Sequence, residues 1–161
     1  MKQILFFDLV KTQQFGVHLL LPCKVNSQKY YFIIDTGASN TVLDTSVISG
    51  ALYTSYQEKA YSLNKFQNLF YSLGVADQNI QISFARITHI SIGDFFLENQ
   101  IFPSLDMFSI REIFMFSGYK NVFGILGNDF LLQVNALINY QTQQITMESD
   151  KREIILPSYL A

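Results

Sequence analysis

With a single cysteine, Cys23, the chain cannot form an internal disulfide, and no C-x-x-C pair or histidine cluster surrounds that residue. This excludes a disulfide scaffold and a zinc site, and leaves Cys23 as a small packing residue. Charge is also scarce. Asp, Glu, Lys and Arg make up 15% of the chain, the net charge is −2, and the basic residues are scattered, so there is no electrostatic footprint for nucleic acid. No apolar run approaches the roughly 18 residues that span a bilayer. Met1–Val10 carries Asp8 inside its apolar stretch and lacks a small-residue cleavage signal, so it reads as part of the mature fold. The compartment reading leans weakly cytoplasmic, and a leader upstream of the given sequence would change it. Alanine-rich and Glu/Lys-rich helical stretches are few, and no internal repeat or low-complexity segment is visible.

What is abundant is aromatic: 15 Phe and nine Tyr stand in short alternating or continuous runs, and 49% of residues are hydrophobic. Such runs favour strands, and 161 residues suffice for one compact domain with a sizeable core. The expectation is a mainly β, single-domain chain over residues 1–161.

In chain order, Ile4–Val10 and Phe15–Leu21 read as strands, the latter ended by Pro22. Asn26-Ser27-Gln28 supplies a turn joining Cys23–Val25 to Tyr30–Asp35 as a hairpin. Thr41–Leu43 reads as a short strand, with Asp44 as an N-cap for the residues after it. From Thr45 to Asn68 the pattern is mixed, admitting a helix or an extended insertion. Phe70–Leu73 and Ile80–Phe84 flank a small polar tip and read as a hairpin. Ala85–Ile92 and Phe95–Phe102 form a further hairpin across Gly93-Asp94, which Pro103 closes. Residues 104–120 read as irregular, with Phe108, Ile113, Phe114 and Phe116 packing on the core. Val134–Asn139 and Gln144–Met147 read as strands around a turn, and Ile154–Pro157 as a last extended piece.

Two stretches carry the chemistry. In the first, Tyr31-Phe32-Ile33-Ile34 runs into Asp35-Thr36-Gly37-Ala38-Ser39-Asn40, so a strand delivers a carboxylate into a turn where Gly37 frees the backbone and brings peptide N–H groups near the acid. An isolated D-T-G is common by chance as an ordinary turn. The second stretch is Ile125-Leu126-Gly127-Asn128-Asp129-Phe130-Leu131, an apolar pair, a glycine and a helical beginning. In this order and separation the two motifs closely resemble the retropepsin-like aspartic proteases, cellular relatives included, from about Phe15 to Met147.

The resemblance implies a closed acid-protease barrel, with a short helix after I-L-G and a flap at the 70–84 hairpin. It implies Asp35 as the catalytic acid, Thr36 and Gly37 as supports of its loop, and Ile125, Leu126 and Gly127 as the element packed beside it. Ala38, Ser39, Asn40 and the flap-tip residues Gly74, Val75 and Ala76 would meet the substrate. Where many retroviral members carry an acid and an arginine as an ion pair, Ser39 and Asn128 are both neutral, which marks a cellular-type branch.

Acid proteolysis needs two carboxylates, and no other Asp here has the T/S-G context, so the resemblance implies a homodimer meeting on its two-fold axis at Asp35. Met1–Val10 and Ile154–Leu156 are candidates for the subunit interface. The expected activity is an endopeptidase acting on extended polypeptide, with no metal, no organic cofactor, no nucleic-acid partner and no membrane span. His18 and His89 read as structural. Two other readings stand beside it: a non-catalytic dimerisation or peptide-binding module of the same fold, and a purely structural β domain, for which both motifs would be coincidence.

Overall fold

The computed structural model describes residues 1–12, 16–48, 54–55 and 83–157. Its elements are β1 (Lys2–Phe6), β2 (Asp8–Thr12), β3 (Gly16–Val25), β4 (Gln28–Ile34), β5 (Val42–Asp44), α1 (Thr45–Ile48), β6 (Thr54–Ser55), β7 (Ser83–Ile92), β8 (Phe95–Leu105), α2 (Phe108–Phe116), β9 (Val122–Leu126), α3 (Asn128–Leu131), β10 (Leu137–Asn139) and β11 (Gln144–Glu148). The large sheet runs β2-β3-β4-β9-β5-β8-β7-β6, and pairing of β3 with β7 closes six of these strands into a barrel. That seam consists of Lys24 opposite Ser91 and Val25 opposite Ile90. β1, β11 and β10 form a separate three-stranded sheet.

Alternation along the strands sorts side chains to the two sides of the barrel wall. Leu19, Leu21, Cys23, Phe32, Ile34 and Phe123 join the main core, while Leu20, Ile33, Val42 and Val122 pack on a second cluster with Val10 of β2 and Phe114 of α2. Both faces of β3 and β4 are therefore covered, which is why Leu19-Leu20-Leu21 and Phe32-Ile33-Ile34 are unbroken apolar runs. Asn26 and Ser27, both at positive φ, make the two-residue turn between β3 and β4. This fits a right-twisted hairpin. β4 and β9 run parallel, Ile33 opposite Ile125 and Ile34 opposite Leu126, so their carboxyl ends emerge side by side.

Several expectations are corrected. Ile4–Val10 is two strands in two sheets, because Phe7 turns inward to a buried site, edge-on to Tyr140, and gives its N–H to Gln143 O. Pro22 lies inside β3 rather than after it: β2 pairs with β3 only up to Leu20 and the pairing of β3 with β7 begins at Lys24, so Pro22 falls in a gap where no ladder donor is required. Pro103 likewise sits within β8, opposite Phe84, and the strand continues to Leu105.

The 104–120 stretch contains helix α2, of which Phe114 is buried and Ile113 half-buried, but Phe108 is exposed and Phe116 is 91% exposed. Val134 belongs to the turn after α3, so the penultimate strand begins only at Leu137. Ile154–Pro157 runs beside β8 without forming a regular strand, tied by Ile154 N to Phe96 O and Leu156 N to Gln100 Oε1. Ile154 and Leu156 are buried in the chain's own core. The 70–84 hairpin, with Gly74, Val75 and Ala76, lies outside the described residues except for Ser83 and Phe84, which continue into β7. Of 45–68, only α1 and the backbone of β6 are described.

Candidate active site

Asp35 comes directly after β4, and its N–H donates to Leu126 O on β9, so the parallel ladder extends one step to the acid itself. The chain then turns, with Ala38 N donating to Asp35 O at 3.2 Å and Gly37 N donating to Asp35 Oδ1 at 2.8 Å. A Cβ on Gly37 would stand 3.2 Å from that same oxygen, tighter than ordinary contact, so the closeness of peptide to carboxylate favours glycine there. Asp35, Thr36, Gly37 and Ser39 are exposed, Asn40 is half-buried and Ala38 is buried.

The second motif grips this loop from the side. Asn128 N donates to Ala38 O at 2.8 Å, Asp129 N to Ser39 O at 3.1 Å, and Asn128 Nδ2 to Thr36 O at 2.8 Å. Two of the backbone donors left free at the start of a helix are thus satisfied by carbonyls of the acid-bearing loop. Gly127 makes the approach possible: a Cβ there would come within 2.5 Å of the Asn40 carbonyl. Ile125 is half-buried and Leu126 buried, filling the wall beneath. Ile125, Leu126 and Gly127 therefore lie next to the Asp35 loop.

A further layer was not legible in the motifs. Thr41, fully buried, donates its N–H to Asp129 Oδ2 and its hydroxyl to Asp129 Oδ1, while accepting Gly127 N–H at 3.1 Å. The only signal for it was an acid at the second position of a short helix, an electrostatically favourable place that suggested no partner. Asp44 caps α1 through Ser46 N and also takes Arg111 of α2 as an ion-pair partner, so the helix beyond β8 is fastened to the strand that leaves the site. His18 packs edge-on against Phe114, and His89 stacks on Phe96 with Glu98 3.6 Å away. Among the described residues, no cluster of three or more His, Cys, Asp or Glu side chains is arranged to hold a metal ion, and no helix is long and apolar enough to cross a membrane.

The closed β barrel thus presents a glycine-turned aspartate at the carboxyl end of one of two parallel strands. A model of the aspartyl protease family matches residues 21–130, which contain both motifs. The chain belongs to that family, and its sequence holds a single D-T-G. Among solved structures it is similar to a retropepsin-like aspartic protease from Rickettsia conorii, with 15% identity, TM-score 0.47, and 91% of this chain and 90% of that one covered. It is also similar to the retroviral protease-like domain of Ddi1 from Leishmania major, with 14% identity, TM-score 0.48, and 86% and 94% covered. No curated protein sequence matches it.

Proposed function

We propose that this chain is an aspartic endopeptidase whose catalytic unit is a homodimer, with Asp35 of each copy forming the dyad. The observation that carries this reading is the exposed Asp35 carboxylate on a loop braced by Gly37 and by Ala38, Ser39 and Thr36 contacts to the Asn128–Asp129 segment. Four other described acids are engaged elsewhere: Asp8 with the Tyr119 hydroxyl, Asp44 with Arg111, Asp129 with Thr41, and Asp106 with Phe108 N. Asp35 alone stands in a D-T-G context, and the reaction uses two carboxyl groups, so this reading pairs Asp35 with that of a second chain.

In the reaction, the ionised carboxylate removes a proton from the bound water as its oxygen attacks the scissile carbonyl carbon. The protonated carboxyl of the other copy gives its proton to the carbonyl oxygen. The resulting gem-diol collapses as the C–N bond breaks and a proton passes to the leaving nitrogen. Thr36 braces the paired loops, and Ser39 and Asn40 line the groove. The outward side chains Ile4 and Phe6 of β1 and Leu137 of β10, 55%, 65% and 62% exposed, offer an apolar sheet face for the second copy.

The test is incubation with an unfolded polypeptide at about pH 4 to 7, with and without a statine-type transition-state mimic, beside Asp35→Asn. Cleavage that the mimic and the variant both abolish supports the reading. Turnover retained by pure Asp35→Asn overturns it, and strand binding without cleavage would make the chain a peptide-binding module.

A further inference from the structure

We propose that Asn128 is a positioning residue of the acid, acting through a single peptide group. This inference rests on the role proposed for Asp35. The carbonyl of Thr36 and the N–H of Gly37 belong to one peptide unit. A trans peptide directs these two groups to opposite sides. On one side the Asn128 amide donates to Thr36 O at 2.8 Å, and on the other Gly37 N–H donates to Asp35 Oδ1 at 2.8 Å. A backbone carbonyl only accepts, so the atom that Asn128 turns toward it must be its nitrogen.

The arrangement has two consequences. Rotation of the Thr36–Gly37 peptide, which would swing the N–H away from the acid, breaks the Asn128 bond as well. The donor on the carbonyl also polarises the amide and strengthens the hydrogen bond on its far side, as in any chain of hydrogen bonds. Asn128 never approaches the carboxylate in this chain of contacts, yet it fixes the direction from which the carboxylate is held.

The placement also separates this role from general support of the loop. Asn128 N still binds Ala38 O, and Asp129 still binds Ser39 O and Thr41, whatever side chain occupies position 128. Asn128 is only half-buried, so replacing its side chain leaves no large void. Sequence comparison with the retroviral pattern would assign the position to a pairing with residue 39. Here the side chain reaches residue 36 instead, and Ser39 is held through its backbone carbonyl.

The experiment compares wild type with Asn128→Leu, which keeps volume and removes the donor, and with the isosteric Asn128→Asp, which substitutes an acceptor. Two quantities are read on the full chain: kcat and KM on an unfolded-polypeptide substrate, and the Gly37 amide proton resonance in a 15N-labelled sample. Loss of one such hydrogen bond predicts a kcat lower by roughly tenfold with KM unchanged, and an upfield move of the Gly37 amide in both variants. A Gly37 resonance that stays in place overturns the relay. A moved resonance with unchanged kcat overturns its part in the reaction, as does a loss confined to KM. If wild type itself fails to cleave, the proposed activity falls while the Gly37 resonance still decides whether Asn128 holds the peptide.

Discussion

Thr41 and Asp129, 88 residues apart, hold each other twice, the amide of the first on Oδ2 of the second at 2.9 Å and its hydroxyl on Oδ1 at 2.7 Å. The pair joins the end of the acid-bearing loop to the start of α3, and the Thr41 hydroxyl takes the Gly127 N–H as well. Thr41→Val keeps the shape and removes the hydroxyl, leaving the Gly127 N–H without its acceptor in a buried place. The expected cost is about 1–3 kcal/mol in urea unfolding. An unchanged midpoint would show that the hydroxyl contributes nothing.

The two-chain mechanism has a quantitative signature. When wild type is co-refolded with Asp35→Asn at fixed total protein, activity should scale as the square of the wild-type fraction, because mixed pairs hold one Asp and one Asn. A linear mixing curve, or an active species that sediments as a monomer, contradicts it.

Phe6 points outward from β1, in line with Gln144 and, beyond it, Asn139, while Ile4 aligns with Thr146 and Leu137. Phe6→Glu should leave the thermal transition in place, lower the fraction sedimenting as a dimer and make activity per chain fall at higher concentrations than for wild type. If self-association is unaffected, the second copy sits elsewhere.

Arg111 neutralises a carboxylate that is almost wholly buried. Arg111→Leu should destabilise by about 3 kcal/mol, since it strands a buried charge. Adding Asp44→Asn should recover part of that loss, because Asn can still cap α1 through Ser46 N. Additive losses in the double variant would mean that the two residues act independently.

Tyr119 supplies a pH handle. Its phenol is pushed up to about 12, first by desolvation and then by its bond to Asp8. A raised value in the folded state favours the neutral form, so this contribution is complete below the unfolded tyrosine range near 10 and is lost as pH rises through about 12. Tyr119→Phe should therefore show a shallower loss of stability in that window, measured by denaturant unfolding at stepped pH. Identical slopes would remove Tyr119 from the alkaline transition.

Legibility depended on how local the cause was. The 26–27 and 93–94 hairpins, the Asp35 turn and α3 were readable because each depends on a few adjacent residues. Pro22 and Pro103 misled because a proline ends a strand only where a partner demands its N–H, and that demand is set by strands far away in sequence. Helix α2 was obscured by aromatic, poorly helix-forming residues and by an N-cap, Met107, without a capping side chain. Asp106 binds Phe108 N one step earlier. The Asn128 and Thr41 contacts could not be read at all from residue types, since they exist only once β4 and β9 lie parallel.

That parallel pairing separates the fixed register of the site from the lengths of the loops between its parts. The acid comes from a segment ending near Thr41 and its brace from one beginning near Val122, and their mutual register is set by the ladder from Tyr31 and Val122 to Ile34 and Leu126. Nothing in that ladder measures the length of chain between the two segments. Evolution can therefore lengthen, shorten or redecorate loops outside the barrel strands without moving the carboxylate relative to the amides that hold it.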